Sequence, residues 1–126
     1  MIKALVVDDE KDVELLFRQQ FRKELRDNLV ELHFAFSGDE ALAFMKTLNP
    51  FDLVLLMSDI NMPGMSGLDL LKNTKSLFPH MKVMMITAYD DKLNYNAAMA
   101  YGADDVIAKP VDFANLRNVI FNQKPI

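Results

Sequence analysis

The chain contains no cysteine. Disulfides, thiolate metal sites and cysteine nucleophiles are therefore excluded, while the redox compartment stays undecided on this count. No apolar run is long enough to cross a bilayer. The first such run, Ile2 to Val7, is short and stops at Asp8 and Asp9, so it is not the core of a signal peptide. A cytoplasmic location and no membrane partner are expected. There is no linker, repeat or low-complexity segment. Histidine is scarce, with only His33 and His80. His33 falls on the solvent side of an expected edge strand and His80 follows Pro79 in a turn, so neither is read as a ligand or a phosphorylation site. Excess positive charge is also lacking. The net charge of −4 argues against direct binding of nucleic acid by these residues.

What is present fits one compact domain over residues 1–126, large enough to bury a real core. Half the residues are apolar, and the nine methionines suit gaps in that core. The chain stops soon after its last helical pattern, which fits a small complete protein or a domain of a longer one.

Short apolar runs alternate five times with segments of helical period, the pattern of repeated βα units around a parallel sheet. Strands are expected at Ile2–Val7, Leu29–Phe36, Leu53–Ser58, Lys82–Ile86 and Asp105–Ala108. The second alternates, with Val30, Leu32, Phe34 and Phe36 on one side, so it belongs at the sheet margin. The third is continuously apolar and belongs at the centre. Helical stripes follow each strand: Val13, Leu16, Phe17, Phe21 and Leu25; then Gly38 to about Leu48, opened by the capping-box spacing Ser37 to Glu40 and ended by Asn49-Pro50. The third helix covers about Ser66 to Phe78, with Leu70, Leu71, Thr74, Leu77 and Phe78 inward. The fourth covers about Asp91 to Tyr101, with Gly102 beyond its end. The fifth covers about Asp112 to Asn122, with Asp112 as cap and Phe113, Leu116 and Ile120 as its stripe.

Chemistry-bearing residues sit just past four of these strands: Asp8-Asp9, Asp59, Thr87 and Lys109-Pro110. In a parallel α/β sheet the carboxyl ends of the strands open onto one crevice. Singly, each residue reads as a turn acid, a strand-end hydroxyl or a solvated lysine. All four together read as a site. Two carboxylates about 4 Å apart repel by roughly 4 kcal/mol at an effective dielectric near 20. Proton uptake or a bound cation relieves that repulsion. An all-oxygen donor set suits Mg²⁺, with Mn²⁺ as the second choice. A carboxylate such as Asp59 can attack a phosphoryl group to give an acyl phosphate. That transfer needs positioning and charge neutralisation above all, which a cation and Lys109 would supply.

Val6-Val7-Asp8-Asp9-Glu10, Ser58-Asp59-Ile60-Asn61-Met62-Pro63-Gly64-Met65-Ser66-Gly67, Ile86-Thr87-Ala88, Gly102-Ala103-Asp104-Asp105 and Lys109-Pro110 together resemble the receiver domain of bacterial two-component response regulators, the CheY-like family, over essentially the whole chain. The resemblance implies a flavodoxin-like (βα)5 three-layer sandwich with parallel strand order 2-1-3-4-5. It implies a phosphorylation switch, not an enzyme with a diffusible product, although self-phosphorylation from small donors and self-dephosphorylation are expected. Asp59 would be the phosphoacceptor for a sensor histidine kinase or phosphotransfer protein. Asp9 and Asp59 would ligate Mg²⁺, Asp8 acting mainly through a water, and the Asn61 backbone carbonyl would be a further ligand. Thr87 and Lys109 would bind the phosphoryl group. The Lys109-Pro110 bond is often cis in similar proteins. The face of the fourth helix, fifth strand and fifth helix would bind an output domain, a downstream protein or, when phosphorylated, a second copy.

Two departures from the family pattern, at Val106 and Tyr101, and one residue at the mouth of the site, Tyr89, stand out. Receiver domains usually carry an aromatic residue three positions before the lysine; here it is Val106. Tyr101 lies on the expected helical face of Leu93, Ala97 and Ala100, so it is expected to point at the sheet and fill the volume left by Val106. Tyr89, two residues after Thr87, is expected to shield an acyl phosphate from water. A competing enzyme reading comes from haloacid-dehalogenase-type phosphatases, which also pair an aspartyl nucleophile with a threonine or serine, a lysine and Mg²⁺. They place a second acid two residues after the nucleophile, where this chain has Asn61. They also put the nucleophile after an early strand, whereas Asp59 follows the third.

Overall fold

Six residues of alternating exposure to two cores, Ile2–Val7, form β1. Ala4 and Val6 turn to one face of the sheet, Leu5 and Val7 to the other, and all four are buried. A strand apolar on both faces must lie inside a sheet covered on both sides. The computed structural model describes residues 1–49, 55–88 and 90–121 and shows that arrangement. Five parallel strands run in the order β2-β1-β3-β4-β5, with β2 at Val30–Ala35, β3 at Leu55–Asp59, β4 at Lys82–Ala88 and β5 at Asp105–Lys109. The expected start of the third strand at Leu53, the helix-ending Pro50, the last expected helical residue Asn122 and the shielding residue Tyr89 lie outside the described residues. β2 is marginal and β3 central, as their patterns predict.

The helices are α1 (Asp12–Gln20), α2 (Arg22–Arg26), α3 (Gly38–Lys46), α4 (Gly67–Leu77), α5 (Lys92–Ala100) and α6 (Phe113–Phe121). One core lies under α3, α4 and α5 and is rich in Met and Leu: Leu56, Leu70, Leu71, Met45, Met81 and Met85. The other, under α1, α2 and α6, is aromatic. Phe17 stacks on Phe21 at 6.0 Å and meets Phe113 edge-on at 5.3 Å. Edge and offset contacts of this kind add to the burial of each ring.

Caps fix several helix starts. Ser37 Oγ accepts the Glu40 amide at 3.0 Å, Ser66 Oγ accepts that of Asp69, and Asp91 accepts that of Asn94. Asp112 Oδ1 accepts the Ala114 and Asn115 amides. Each such cap satisfies an amide that the helix itself leaves free. Gly102, at φ +96°, ends α5 as expected.

The structure departs from the sequence pattern at four places. The first helix breaks at Phe21 into α1 and α2, so the fourth and fifth expected helices are α5 and α6. Arg117 of α6 donates to the Gln20 carbonyl at the break, and a side chain that takes a helix carbonyl is a recognised cause of such a kink. Leu16 and Leu77, expected inward, are exposed. His33 is only partly open to solvent: its ring lies 5.1 Å from that of Phe44 on α3 and its Nε2 lies 2.8 Å from Glu31 Oε2, because α3 partly covers that side of β2. Tyr101 does not point at the sheet. Its ring is 40 % exposed and sits 4.0 Å under the Lys72 ammonium of α4. Leu93 is exposed too, and α5 instead turns Ala98 inward. Tyr101 therefore cannot fill the space beside Val106. Among the described residues no helix is long and apolar enough to cross a membrane.

Candidate functional site

β1, β3, β4 and β5 end side by side, because their registers pair Val7 with Ser58, Asp59 with Ile86, and Ala88 with Lys109. The side chains at those ends, Asp59, Thr87 and Lys109, and those just past β1, Asp8 and Asp9, therefore come to one edge of the sheet. Asp8, Asp9 and Asp59 each offer a carboxylate oxygen within 4.8 Å of the others. Asp8 and Asp59 are buried and Asp9 is exposed, so the acids form a floor and a rim. Among the described residues they are the one such acidic cluster. Lys109 Nζ donates to Asp59 Oδ2 at 3.1 Å and lies 3.8 Å from Asp8 Oδ2. Thr87, 4 % exposed, stands near the carboxyl end of β4 between β3 and β5, and its Oγ1 has no hydrogen-bond partner among the described residues. A buried unpaired hydroxyl costs about 1–3 kcal/mol, so it marks a place where a partner is expected to arrive.

Local backbone holds these groups. The Glu10 amide donates to Asp8 Oδ1 at 2.9 Å and the Asn61 amide to Asp59 Oδ1 at 3.4 Å. The Ile60 amide donates to Ile86 O and the Gly67 amide to Ile60 O, which ties the loop after β3 to β4 and to the start of α4. Gly67 permits that closure: a Cβ there would lie 2.1 Å from the Asp59 carbonyl. The sequence reading included this residue in a motif but gave it no role. Its signal was a glycine, not the favoured helix former, in the first turn after Ser66. The Lys109–Pro110 bond is cis.

The charges are unbalanced. Burial above all, with the charges of Asp59 and Asp9, raises the Asp8 carboxyl above its ordinary pKa of 3.8, against the Glu10 amide and Lys109. Burial alone would depress Lys109, but its hydrogen bond to Asp59 and the fields of Asp59 and Asp8 outweigh that and hold it above 10.5. Three carboxylates face one ammonium, with room for more positive charge. The donors are hard oxygens in the set that a small divalent cation takes, so the residues present fit Mg²⁺.

Beside the acids runs a second feature absent from the sequence reading. An apolar groove of about 570 Å³ opens between α1 and the segment after β5, walled by Val13, Leu16, Phe17, Val111 and Phe113, and it reaches Asp8 and Lys109.

The family model for the response regulator receiver domain matches residues 4–121. Sporulation initiation phosphotransferase F of Bacillus subtilis is 32 % identical over 98 % of this chain and 94 % of its own length. Response regulator protein PilR of Pseudomonas aeruginosa is 36 % identical over 94 % of this chain, which spans only 25 % of that protein. Among solved structures, a receiver domain protein of Clostridium thermocellum superposes with a TM-score of 0.84 at 31 % identity, covering 97 % of this chain and 93 % of that one. The response regulator TrrA of Thermotoga maritima, in complex with Mg²⁺ and BeF, gives 0.78 at 30 % identity, covering 97 % and 98 %. With its sheet order, its acidic crevice and these likenesses all in agreement, the chain belongs to the response regulator receiver domain family of two-component systems.

Proposed function

We propose that this chain, acting as a single receiver domain over residues 1–126, takes a phosphoryl group onto Asp59 from a phosphohistidine of a sensor histidine kinase or phosphotransfer protein. An Asp59 carboxylate oxygen bonds to phosphorus as the N–P bond of the donor breaks, its electron pair returning to the imidazole. The product is an acyl phosphate. The observation that carries this reading is the convergence of Asp8, Asp9 and Asp59 within 4.8 Å, with Lys109 3.1 Å from Asp59, while Thr87 near the end of neighbouring β4 buries a hydroxyl with no partner among the described residues.

Asp8, Asp9, Asp59 and the Asn61 backbone carbonyl are the groups that would hold Mg²⁺, with Mn²⁺ as a substitute. The cation, when bound, supplies positive charge against the developing charge on the phosphoryl oxygens. Lys109 moves its ammonium from the Asp59 carboxylate to a phosphoryl oxygen. Thr87 donates its hydroxyl to another and so gains the partner it lacks. The groove along α1 gives a donor a bed beside Asp59. The face of α5, β5 and α6, where Leu93, Tyr95 and Met99 are exposed, is the output surface for an effector domain, a downstream protein or a second phosphorylated copy. The reading places the chain in the cytoplasm.

The test is intact mass after acetyl phosphate with and without Mg²⁺. One added phosphoryl group that requires the cation and is absent in Asp59→Asn is the expected result. A mass that never changes, whichever donor is offered, ends the proposal.

A further inference from the structure

β2 ends the sheet, and among the described residues no strand pairs with its outer edge. Its bonds to β1 fix which backbone groups point outward. The Ile2 amide donates to Leu29 O and the Asp8 amide to Ala35 O, both on the inner side. Direction alternates along a strand, so Leu29, Glu31, His33 and Ala35 turn their amide and carbonyl groups toward β1. Val30, Leu32 and Phe34 turn theirs outward. The side chains divide in the same rhythm. Val30, Leu32 and Phe34 join the aromatic core under α1, and His33 lies against Phe44 on the α3 side with Glu31 beside it. The side chains of Glu31 and His33 stay 43 % and 35 % exposed, and Leu29, just before the strand, is exposed as well.

We propose that β2 is a self-complementary edge through which two copies of this chain join antiparallel, with Leu32 on the two-fold axis. The strand's own sequence selects that register. Bonds across such a junction form only between outward-pointing groups, so Val30, Leu32 and Phe34 of one copy must meet the same residues of the other. With Leu32 opposite itself, Val30 meets the partner's Phe34, and every outward amide and carbonyl of these residues finds a partner. Between them, Glu31 stands opposite the partner's His33, and His33 opposite the partner's Glu31. These are the closer, non-hydrogen-bonded positions, where side-chain complementarity counts most. Apolar pairs thus lie on the α1 side and carboxylate–imidazole pairs on the α3 side. An axis at Glu31 would set two carboxylates against each other. An axis at His33 would pair two imidazoles and leave both carboxylates opposite Ala35. Only the central register matches on both faces. The two-fold uses up the open edge, so pairing through β2 stops at two copies. β2 lies at the opposite margin of the sheet from β5, and Asp59 takes no part, so this association needs no phosphoryl group.

The test is sedimentation of the full chain over a range of concentrations, with no phosphoryl donor, together with amide hydrogen exchange. A monomer–dimer equilibrium is expected. The Leu32 and Phe34 amides should exchange several-fold more slowly in concentrated than in dilute protein. Those of Glu31 and His33, already turned to β1, should change least. Glu31→Lys makes the junction all basic, and His33→Glu makes it all acidic. Either change is expected to weaken association about tenfold or more, since the two-fold axis makes each act twice. Mixed in equal amounts, the two variants set the introduced lysine against the introduced glutamate and the remaining His33 against the remaining Glu31. They are expected to form a heterodimer about as strong as the wild-type dimer, a rescue that loss of fold in either variant would not give. A chain that stays monomeric at every concentration overturns the proposal. So does a dimer whose Leu32 and Phe34 amides gain no protection, or a mixture that associates no better than its components. Should a variant not fold, hydrogen exchange in the wild-type chain decides alone.

Discussion

The two ends of the sheet each carry a lysine–aspartate pair, and only one pair is at rest. At the amino ends of β4 and β5, Lys75 Nζ donates to Asp104 Oδ2 at 2.8 Å and to Met81 O at 3.0 Å, while Asp104 Oδ2 also accepts the Val83 amide at 2.8 Å. One acid meets one base, and backbone groups use the remaining capacity. At the carboxyl ends, three acids crowd one lysine, and a buried threonine hydroxyl has no partner among the described residues. A structural pair is balanced and satisfied locally. A functional cluster is left short of charge and hydrogen bonds because its partner comes from outside.

Substitution of the two aspartates should separate the ends most sharply. Asp59→Asn is expected to abolish phosphoryl uptake completely and to leave stability unchanged or higher, since one of three repelling charges is gone. Asp104→Ala is expected to cost about 1–2 kcal/mol, by loss of a partly exposed ion pair and of the acceptor for the Val83 amide, with uptake intact. Intact mass and urea melts read both. Comparable loss of uptake in Asp104→Ala would erase the distinction.

Glycines draw the same contrast in backbone terms. Gly67→Ala drives a Cβ into the Asp59 carbonyl, which no rotamer relieves. A loss of about 3 kcal/mol or more is expected, with phosphoryl uptake falling alongside as Asp59 shifts. Gly102→Ala, near the amino-end pair, meets only Lys75 Cγ at 3.9 Å, an ordinary contact, and suffers only from φ +96°. It should cost about 1–2 kcal/mol and leave uptake unchanged.

How much of this was legible in the sequence follows range. Ser37, Ser66, Asp91 and Asp112 act on amides two or three residues away, so their caps could be read directly. The strand-end positions of Asp59, Thr87 and Lys109 were legible because parallel βα order brings such ends together whatever the loops do. The break at Phe21 was not, since Arg117, which takes the Gln20 carbonyl, lies 97 residues on. Tyr101 was misread for a similar reason. The end of α5 turns its ring toward Lys72 of α4, and helical period within α5 carries no trace of that neighbour. The closeness of Gly67 to Asp59 likewise depends on how one loop folds back, not on any periodicity.

Two buried threonines sharpen the comparison further. Thr74 on α4 and Thr87 on β4 each hide a hydroxyl with no partner among the described residues. Valine at either position keeps the shape and removes the unpaired group. Each change is expected to raise stability by up to about 1 kcal/mol in the unmodified chain. Only Thr87→Val should then alter the phosphorylated state, with weaker coupling to the output face and a changed lifetime of the acyl phosphate. Equal lifetimes in wild type and Thr87→Val would return Thr87 to the structural class with Thr74.

The smallest effect is in pH. Asp8 holds its proton in the folded chain at pH values where the unfolded chain has already released it, because its carboxyl lies above 3.8. The folded state therefore binds more protons there, and stability without metal should fall as pH rises through that window. Lys109, held above 10.5, remains charged throughout and does not offset the fall. A cation reverses the sign, since it competes with the Asp8 proton and binds better as that proton leaves. Thermal melts with and without Mg²⁺ should thus nearly coincide at about pH 4 and separate by a few degrees at about pH 7. Asp8→Asn should shrink that separation, whereas Asp104→Ala should preserve it at a lower melting temperature. A separation that is the same at both pH values would mean that Asp8 carries no frustrated charge, and the two ends of the sheet would then differ in their neighbours but not in their electrostatics.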